Sequence, residues 1–216
     1  MTARLYDPTF SALAERLFAE AEQDNDAERS LPDGMTFDTA TDQQLADALA
    51  RVYMPVSRDG ARLLYSLARA IRPTTVVEFG MSMGISTLFL AAAIADNGTG
   101  RVITTEMSTH KIERATAHFA EADLTDVVEV RAGDARQTLT DVTGPIGLVL
   151  LDGWKPLCLP VLRLLEPRLA SGAIVVGDDS TFDSMQDYLA YVRDPANGYA
   201  SVDFPVEDGM EISCRL

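Results

Sequence analysis

Apolar positions along the chain follow two alternating rhythms. In SRDGARLLYSLARAI (57–71) they recur three and four apart, so Leu63, Leu64, Leu67, Ala68 and Ile71 share one face of a predicted helix, and Pro73 follows its end. TVVEFG (75–80) is instead a short unbroken apolar run, which predicts a buried strand. The exchange repeats, with predicted helices over 84–96, 108–123, 156–170 and 183–194 and predicted strands over 101–106, 127–134, 146–152 and 172–179. Two last runs, YASVDFPV and GMEISCRL, read as strands separated by only EDG. Upstream, residues 8–24 and 42–53 have helical spacing, and DNDAERSLPDGMTFDTATD between them is polar and turn-rich, a predicted loop.

Strands alternating with helices of this length predict an α/β fold, with a mostly parallel seven-stranded sheet covered by helices on both faces. Near-continuous apolar strands fit a sheet buried on both sides. A three-residue turn between the last two strands makes them an antiparallel C-terminal hairpin. Residues 57–216 would form this unit. Residues 1–56 would be a helical extension that caps the active site or packs against a second subunit, a homodimer being the expected assembly.

In such sheets a ligand sits outside the carboxyl ends of the strands. The residues there are Glu78 with Gly80, Glu106, Asp134, Asp152 with Trp154 and Lys155, and Asp178 with Asp179. Five consecutive strands end in an acid. Taken singly, each acid could be a turn former or a helix cap. Taken in order, the first three suggest a nucleoside site of cationic character. The turn EFGMSMGIS (78–86) matches neither GxGxxG nor a phosphate loop. Its glycines allow close approach of a ligand, and Glu78 suits an ammonium or sulfonium better than a pyrophosphate. Glu106 stands where an acid binds ribose hydroxyls, and Asp134 where an adenine amino group could donate.

Composition narrows the choice further. The chain has 216 residues, 47% hydrophobic, enough for one sizeable core. Its net charge of -15 disfavours nucleic acid as a partner and favours a small or cationic ligand. Two cysteines, Cys158 and Cys214, without a CxxC pair fit a reducing cytoplasmic setting. His110 and His118 read as helix-surface residues rather than metal ligands. No apolar run is long enough to span a membrane, and MTARLYDPTF has no apolar core of a signal peptide.

VVEFGMSMGIS, TTEM and AGDA resemble the cofactor motifs of class I S-adenosylmethionine-dependent methyltransferases, which have a Rossmann-like fold. The resemblance covers residues 57–216. It implies Glu78 and the Gly80–Gly84 turn near the methionine part of the cofactor, Ser86 near its carboxylate, Glu106 on the ribose, and Asp134 with Ala135 near the adenine. Met107 could pack on the adenine. LLDGWK is similar to the segment after the fourth strand in the catechol O-methyltransferase family, which implies Asp152 on Mg²⁺, Trp154 against the adenine and Lys155 as base. VVGDDS resembles the family's acid pair after the fifth strand (Asp178, Asp179), and MPVSRDG its cofactor-covering segment, with Met54 and Val56. DGME resembles its turn with a substrate-binding acid (Glu211). Gly153 stands where catechol O-methyltransferase carries a histidine and is expected to open space beside the metal. Asp179 stands in place of an asparagine, which bears on the choice among Mg²⁺, Mn²⁺ and Ca²⁺.

Asp152, Asp178 and Asp179 come from the ends of adjacent strands and would repel one another without a cation, whereas Mg²⁺ seeks such oxygen ligands. A vicinal diphenol could chelate the same ion, which would lower its pKa. Lys155, beside a metal and a sulfonium, is expected to have a lowered pKa and to take the hydroxyl proton. Asp179 and Lys155 would touch this substrate. The expected function is therefore metal-dependent O-methylation of a small-molecule hydroxyl. The alternatives are a metal-independent methyltransferase, in which Asp178 and Asp179 merely cap a helix, and a non-catalytic S-adenosylmethionine-binding module.

Overall fold

Strand β1 (Thr75–Phe79) is buried along its whole length because it lies in the middle of the sheet with helices on both sides. In the computed structural model, which describes residues 3–23, 31–37 and 39–216, the other strands are β2 (Arg101–Glu106), β3 (Val128–Ala132), β4 (Ile146–Leu151), β5 (Leu169–Asp178), β6 (Tyr199–Phe204) and β7 (Met210–Arg215). They form one seven-stranded sheet in the order β3-β2-β1-β4-β5-β7-β6. Neighbours among β1 to β5 are parallel, while β7 runs antiparallel to both β5 and β6, as the short EDG turn requires. The chain leaves β1 toward β3 and then returns across it to β4, so the strand order reverses between β1 and β4. That reversal opens a crevice at the carboxyl ends.

Alternate strand residues feed two separate cores. Val76, Val102, Leu148, Leu150 and Val176 pack against helices α1 (Pro8–Gln23), α3 (Arg58–Ile71), α4 (Ile85–Asn97) and α5 (Thr109–Glu121). Val77, Ile103, Val149, Leu151 and Val175 pack against α6 (Ala135–Thr138), α7 (Cys158–Leu165) and α8 (Gln186–Arg193). This two-sided burial is why the strands read as unbroken apolar runs. Helix α4 is apolar nearly all round because α1 covers its outer side, with the Phe10 and Phe89 rings edge to face at 5.3 Å. Such a pair contributes about 0.5–1.5 kcal/mol beyond its buried area.

Side-chain caps set several helix starts. Ser57 accepts from Gly60 N at α3, Ser108 from Lys111 N at α5, and Thr41 forms a reciprocal capping box with Gln44 at α2 (Asp42–Ala48). Each cap is worth about 1 kcal/mol. The expected 156–170 helix is shorter. It ends at Leu165, Glu166–Arg168 forms a 3₁₀ turn, and β5 already begins at Leu169. Pro167 lacks the N–H that would continue the helix. Likewise α2 stops at Ala48 rather than at 53, and the short α6 after Asp134 has too few residues to show a period. Of the expected 24–42 loop, residues 24–30 and 38 lie outside the described residues, and 31–37 form neither helix nor strand.

Candidate active site

Sheet register brings the acids together. Leu151 of β4 lies opposite Gly177 of β5, so the next residue on each strand, Asp152 and Asp178, emerge side by side. Asp179 follows with a left-handed backbone (φ 57°), which turns its side chain out of the strand alternation. A non-glycine residue pays for that conformation, least so for Asp or Asn, and such positions concentrate at functional sites. One carboxylate oxygen from each of Asp152, Asp178 and Asp179 lies within 4.8 Å of the others. An all-oxygen donor set of this kind suits a hard divalent cation, so the residues fit the expected metal.

Lys155 stands among these acids. Its Nζ donates to Asp152 Oδ1 at 2.9 Å and lies 2.8 Å from Asp179 Oδ2. Burial pushes both the Asp152 and Asp178 carboxyls above their usual range; Lys155 partly offsets this at Asp152, and carboxylate repulsion adds to it at Asp178. Lys155 is expected to have a lowered pKa beside a metal and a sulfonium; facing the bare carboxylates it has the opposite shift. Burial acts to lower it, but Asp152, Asp179 and Asp178 outweigh burial and hold the ammonium above its ordinary value. Three anions facing one cation decide the sign.

The glycine turn between β1 and α4 borders the triad. Gly80 (φ 98°) and Gly84 (φ 86°) both need positive φ. A Cβ on Gly80 would meet the backbone of Asp152 and Gly153 at 2.5–2.6 Å, so this glycine lets the turn close on the end of β4. A cavity opens above, lined by Met54, Pro55, Ser82, Met83, Ser86 and Asp152, among others. Helix α4 starts there without a side-chain cap, which leaves its first-turn N–H groups for an anionic ligand group. These residues fit the carboxylate tail of S-adenosylmethionine. Asp152 belongs to both the cavity and the acidic triad.

Several expected cofactor residues have other partners. Glu78 is fully buried beneath the turn, where it accepts from Ser86 Oγ (2.6 Å), Thr104 Oγ1 (2.5 Å) and Thr87 Oγ1. Burial raises its pKa to about 7 against the pull of those donors. Glu78 therefore supports the turn from below rather than facing the cavity. Val56 is packed in the core, while Met54 lines the cavity. Glu106 accepts Ser82 N, Met107 N and Ser108 N, which fixes its carboxylate at the end of β2. Asp134 caps α6 and pairs with Arg136, which also reaches Asp42 at 2.8 Å. Ala135 is buried behind it. Trp154 is half-buried rather than core, with its ring 6.4 Å from that of Phe37.

Two further expectations are corrected. Glu211 is not brought to the site. It is 0% exposed and held by Arg193 of α8 at 2.6 and 3.0 Å and by Ser201 of β6 at 2.5 Å. Its neighbour Met210 faces Gly60 of α3, so alternation along β7 points Glu211 to the other side of the sheet. Gly153 does not open space either, because the Phe79 ring occupies the place its side chain would take. His118 is likewise a buried residue, its Nδ1 3.0 Å from Met83 O of the glycine turn. Sequence reading missed Lys111, Ser82 and Phe37. Lys111 had a signal, since it shares the buried α5 face with Ala115, His118 and Phe119.

This sheet order, with a glycine turn after β1 and an acid closing β2, is a Rossmann-like α/β fold of the kind found in solved O-methyltransferases. Residues 77–180 match the family described as a methyltransferase domain. The chain is 32% identical over 135 residues to a catechol O-methyltransferase of Mycobacterium tuberculosis, an alignment spanning 62% of this chain and 60% of that protein. It is 30% identical over 144 residues to a catechol O-methyltransferase of Niastella koreensis, spanning 62% of each. The matched stretch thus covers less than two thirds of these relatives. An O-methyltransferase from Bacillus cereus, solved in complex with SAH, superposes with a TM-score of 0.66 at 19% identity, covering 94% of this chain and 100% of that one. No helix among the described residues is long and apolar enough to cross a membrane.

Proposed function

We propose that the chain is a divalent-metal-dependent O-methyltransferase that acts on a vicinal diphenol or a similar bidentate hydroxyl compound. The observation that carries this reading is the position of Asp152, which lines the cavity beside the glycine turn and also belongs to the carboxylate triad. A methyl donor and a chelated acceptor would therefore meet across one residue. The catechol O-methyltransferase names of the two bacterial relatives agree with it.

In this reading S-adenosylmethionine supplies an activated methyl group, and a divalent cation supplies Lewis acidity toward the acceptor oxygens. Asp152, Asp178 and Asp179 would hold the cation. Lys155 keeps its proton at Nζ while the three carboxylates face it. With those carboxylates committed to a cation, Nζ would be free to accept the proton of the acceptor hydroxyl. The glycine turn and Glu106 would fix the donor, and holding two reactants in line can contribute about 7–11 kcal/mol. Residues 1–56 would act as a cap, supported by the contact of Phe37 with Trp154 and of Asp42 with Arg136.

The Lys155 ammonium already offsets part of the triad's charge, and this favours one second reading, a metal-independent methyltransferase. Transfer from labelled S-adenosylmethionine to a pool of diphenols, with Mg²⁺ and again with EDTA, separates the two. Transfer abolished by EDTA is expected; undiminished transfer would establish the second reading. No transfer to any pool member would end the diphenol assignment.

A further inference from the structure

Lys111 occupies a position where a hydrophobic residue would be ordinary. It lies on the inward face of α5 beside Ala115 and Phe119 and is 3% exposed. Its Nζ lies 3.1 Å from Ser82 Oγ and makes no ion pair among the described residues. An ammonium has three donors, and burying one with a single neutral partner is costly. The proposed chemistry makes no use of it.

Its surroundings indicate what the remaining donors would meet. Ser82 sits in the glycine turn with a left-handed backbone (φ 48°), and its N–H donates to Glu106 Oε2 at 2.9 Å. The ammonium therefore stands where the turn, the end of β2 and the start of α5 meet. On the Glu106 carboxylate, Oε1 already accepts from Met107 N at 2.9 Å and Ser108 N at 2.8 Å. A carboxylate has about four lone-pair sites, so with three backbone donors bound, room remains for about one more. A ribose diol presents two hydroxyls. Glu106 can accept from one of them, and the oxygen of the other then needs a donor.

We propose that Lys111 is a cofactor-binding residue whose ammonium donates to one ribose hydroxyl oxygen while Glu106 accepts from the adjacent hydroxyl. The diol is thus read by a donor and an acceptor together. The inference rests on the reading of the cavity as an S-adenosylmethionine site. It also accounts for a lysine on a helix face that packing alone would fill with an apolar side chain.

The test is calorimetric binding of S-adenosylhomocysteine and of its 2′,3′-dideoxy analogue to the wild type and to Lys111→Met. The wild type should prefer the ribose form by more than about tenfold, the scale of one hydrogen bond to a charged group. Lys111→Met should weaken the ribose form by about tenfold and leave the dideoxy form nearly unchanged, so the preference shrinks. Equal weakening of both ligands would overturn the proposal, because it would indicate a packing role or a contact with the amino-acid tail. A wild-type preference below about threefold would overturn it without any variant. Should Lys111→Met lose its fold by circular dichroism, Lys111→Gln is measured in the same way, with the same two outcomes deciding. Failure of the wild type to bind either ligand would instead refute the cofactor assignment itself.

Discussion

Lys155 Nζ stands 2.8 Å from Asp179 Oδ2, bridging from the turn after β4 to the turn after β5. The ammonium and the triad are one electrostatic unit, so removing either part exposes the other. Lys155→Met should destabilise the protein by about 3 kcal/mol in EDTA, since a buried charge pair that loses one partner costs that order. Mg²⁺ should restore most of this stability while turnover stays low. Thermal melts with and without Mg²⁺ check the first part and a methyl-transfer assay the second. A Lys155→Met protein with wild-type turnover would remove the base assignment.

The triad itself should respond to divalent ions in solution. At a free concentration about 100 times the dissociation constant, binding adds about 2.7 kcal/mol, a rise in melting temperature of roughly 5–10 °C for a domain of this size. Asp178→Asn and Asp179→Asn should each lose most of that rise. A rise of equal size in both variants would place the cation elsewhere.

Glu78 gives stability a pH dependence whose sign follows from its burial. Its folded pKa is raised from 4.5 to about 7. The folded state therefore binds the proton more tightly than the unfolded state between these values, and stability falls as pH rises through the window. The full effect is about 3 kcal/mol by linkage. Glu78→Gln should flatten this part of the stability–pH curve, measured by urea unfolding from pH 4.5 to 7.5. An unchanged slope would assign the dependence to other groups.

Gly80→Ala should cost about 2–4 kcal/mol, because the new methyl meets main-chain atoms that have no side-chain freedom to yield, at a φ that disfavours alanine. Urea melts measure it. A loss below about 0.5 kcal/mol would mean that the turn relaxes away from β4.

Glu211→Gln separates support from recognition. It removes the charge that Arg193 faces, and because that arginine is partly exposed the loss should be about 2 kcal/mol rather than the full cost of a buried pair. The Michaelis constant for the acceptor should stay at the wild-type value. A selective rise in that constant without loss of stability would return Glu211 to the site.

Most of the sheet was legible because two-sided burial writes itself as unbroken apolar runs, and the acids at strand ends were legible because carboxyl ends of parallel strands converge. What the sequence leaves out depends on packing between distant segments. The face on which Glu211 lies is set by the register of β7 against β5 and by Arg193 approaching from α8. The Lys155 pKa depends on how many carboxylates surround it, and Gly153 could not reveal that Phe79 fills its side. His118 sits in register with the buried face of α5, yet its polarity made it read as a surface residue, and Lys111 on the same face was passed over.

The ammonium of Lys155 is a cation permanently tethered at the place where a diffusing one is expected to bind. Metal uptake would then be an exchange, in which the incoming ion competes with a resident on a short leash. Such a site would stay intact in an ion-poor setting, because the ammonium offsets part of its negative charge. It would fill only when the supply of free ion outbids that leash, so ion availability would set a threshold for activity rather than for folding.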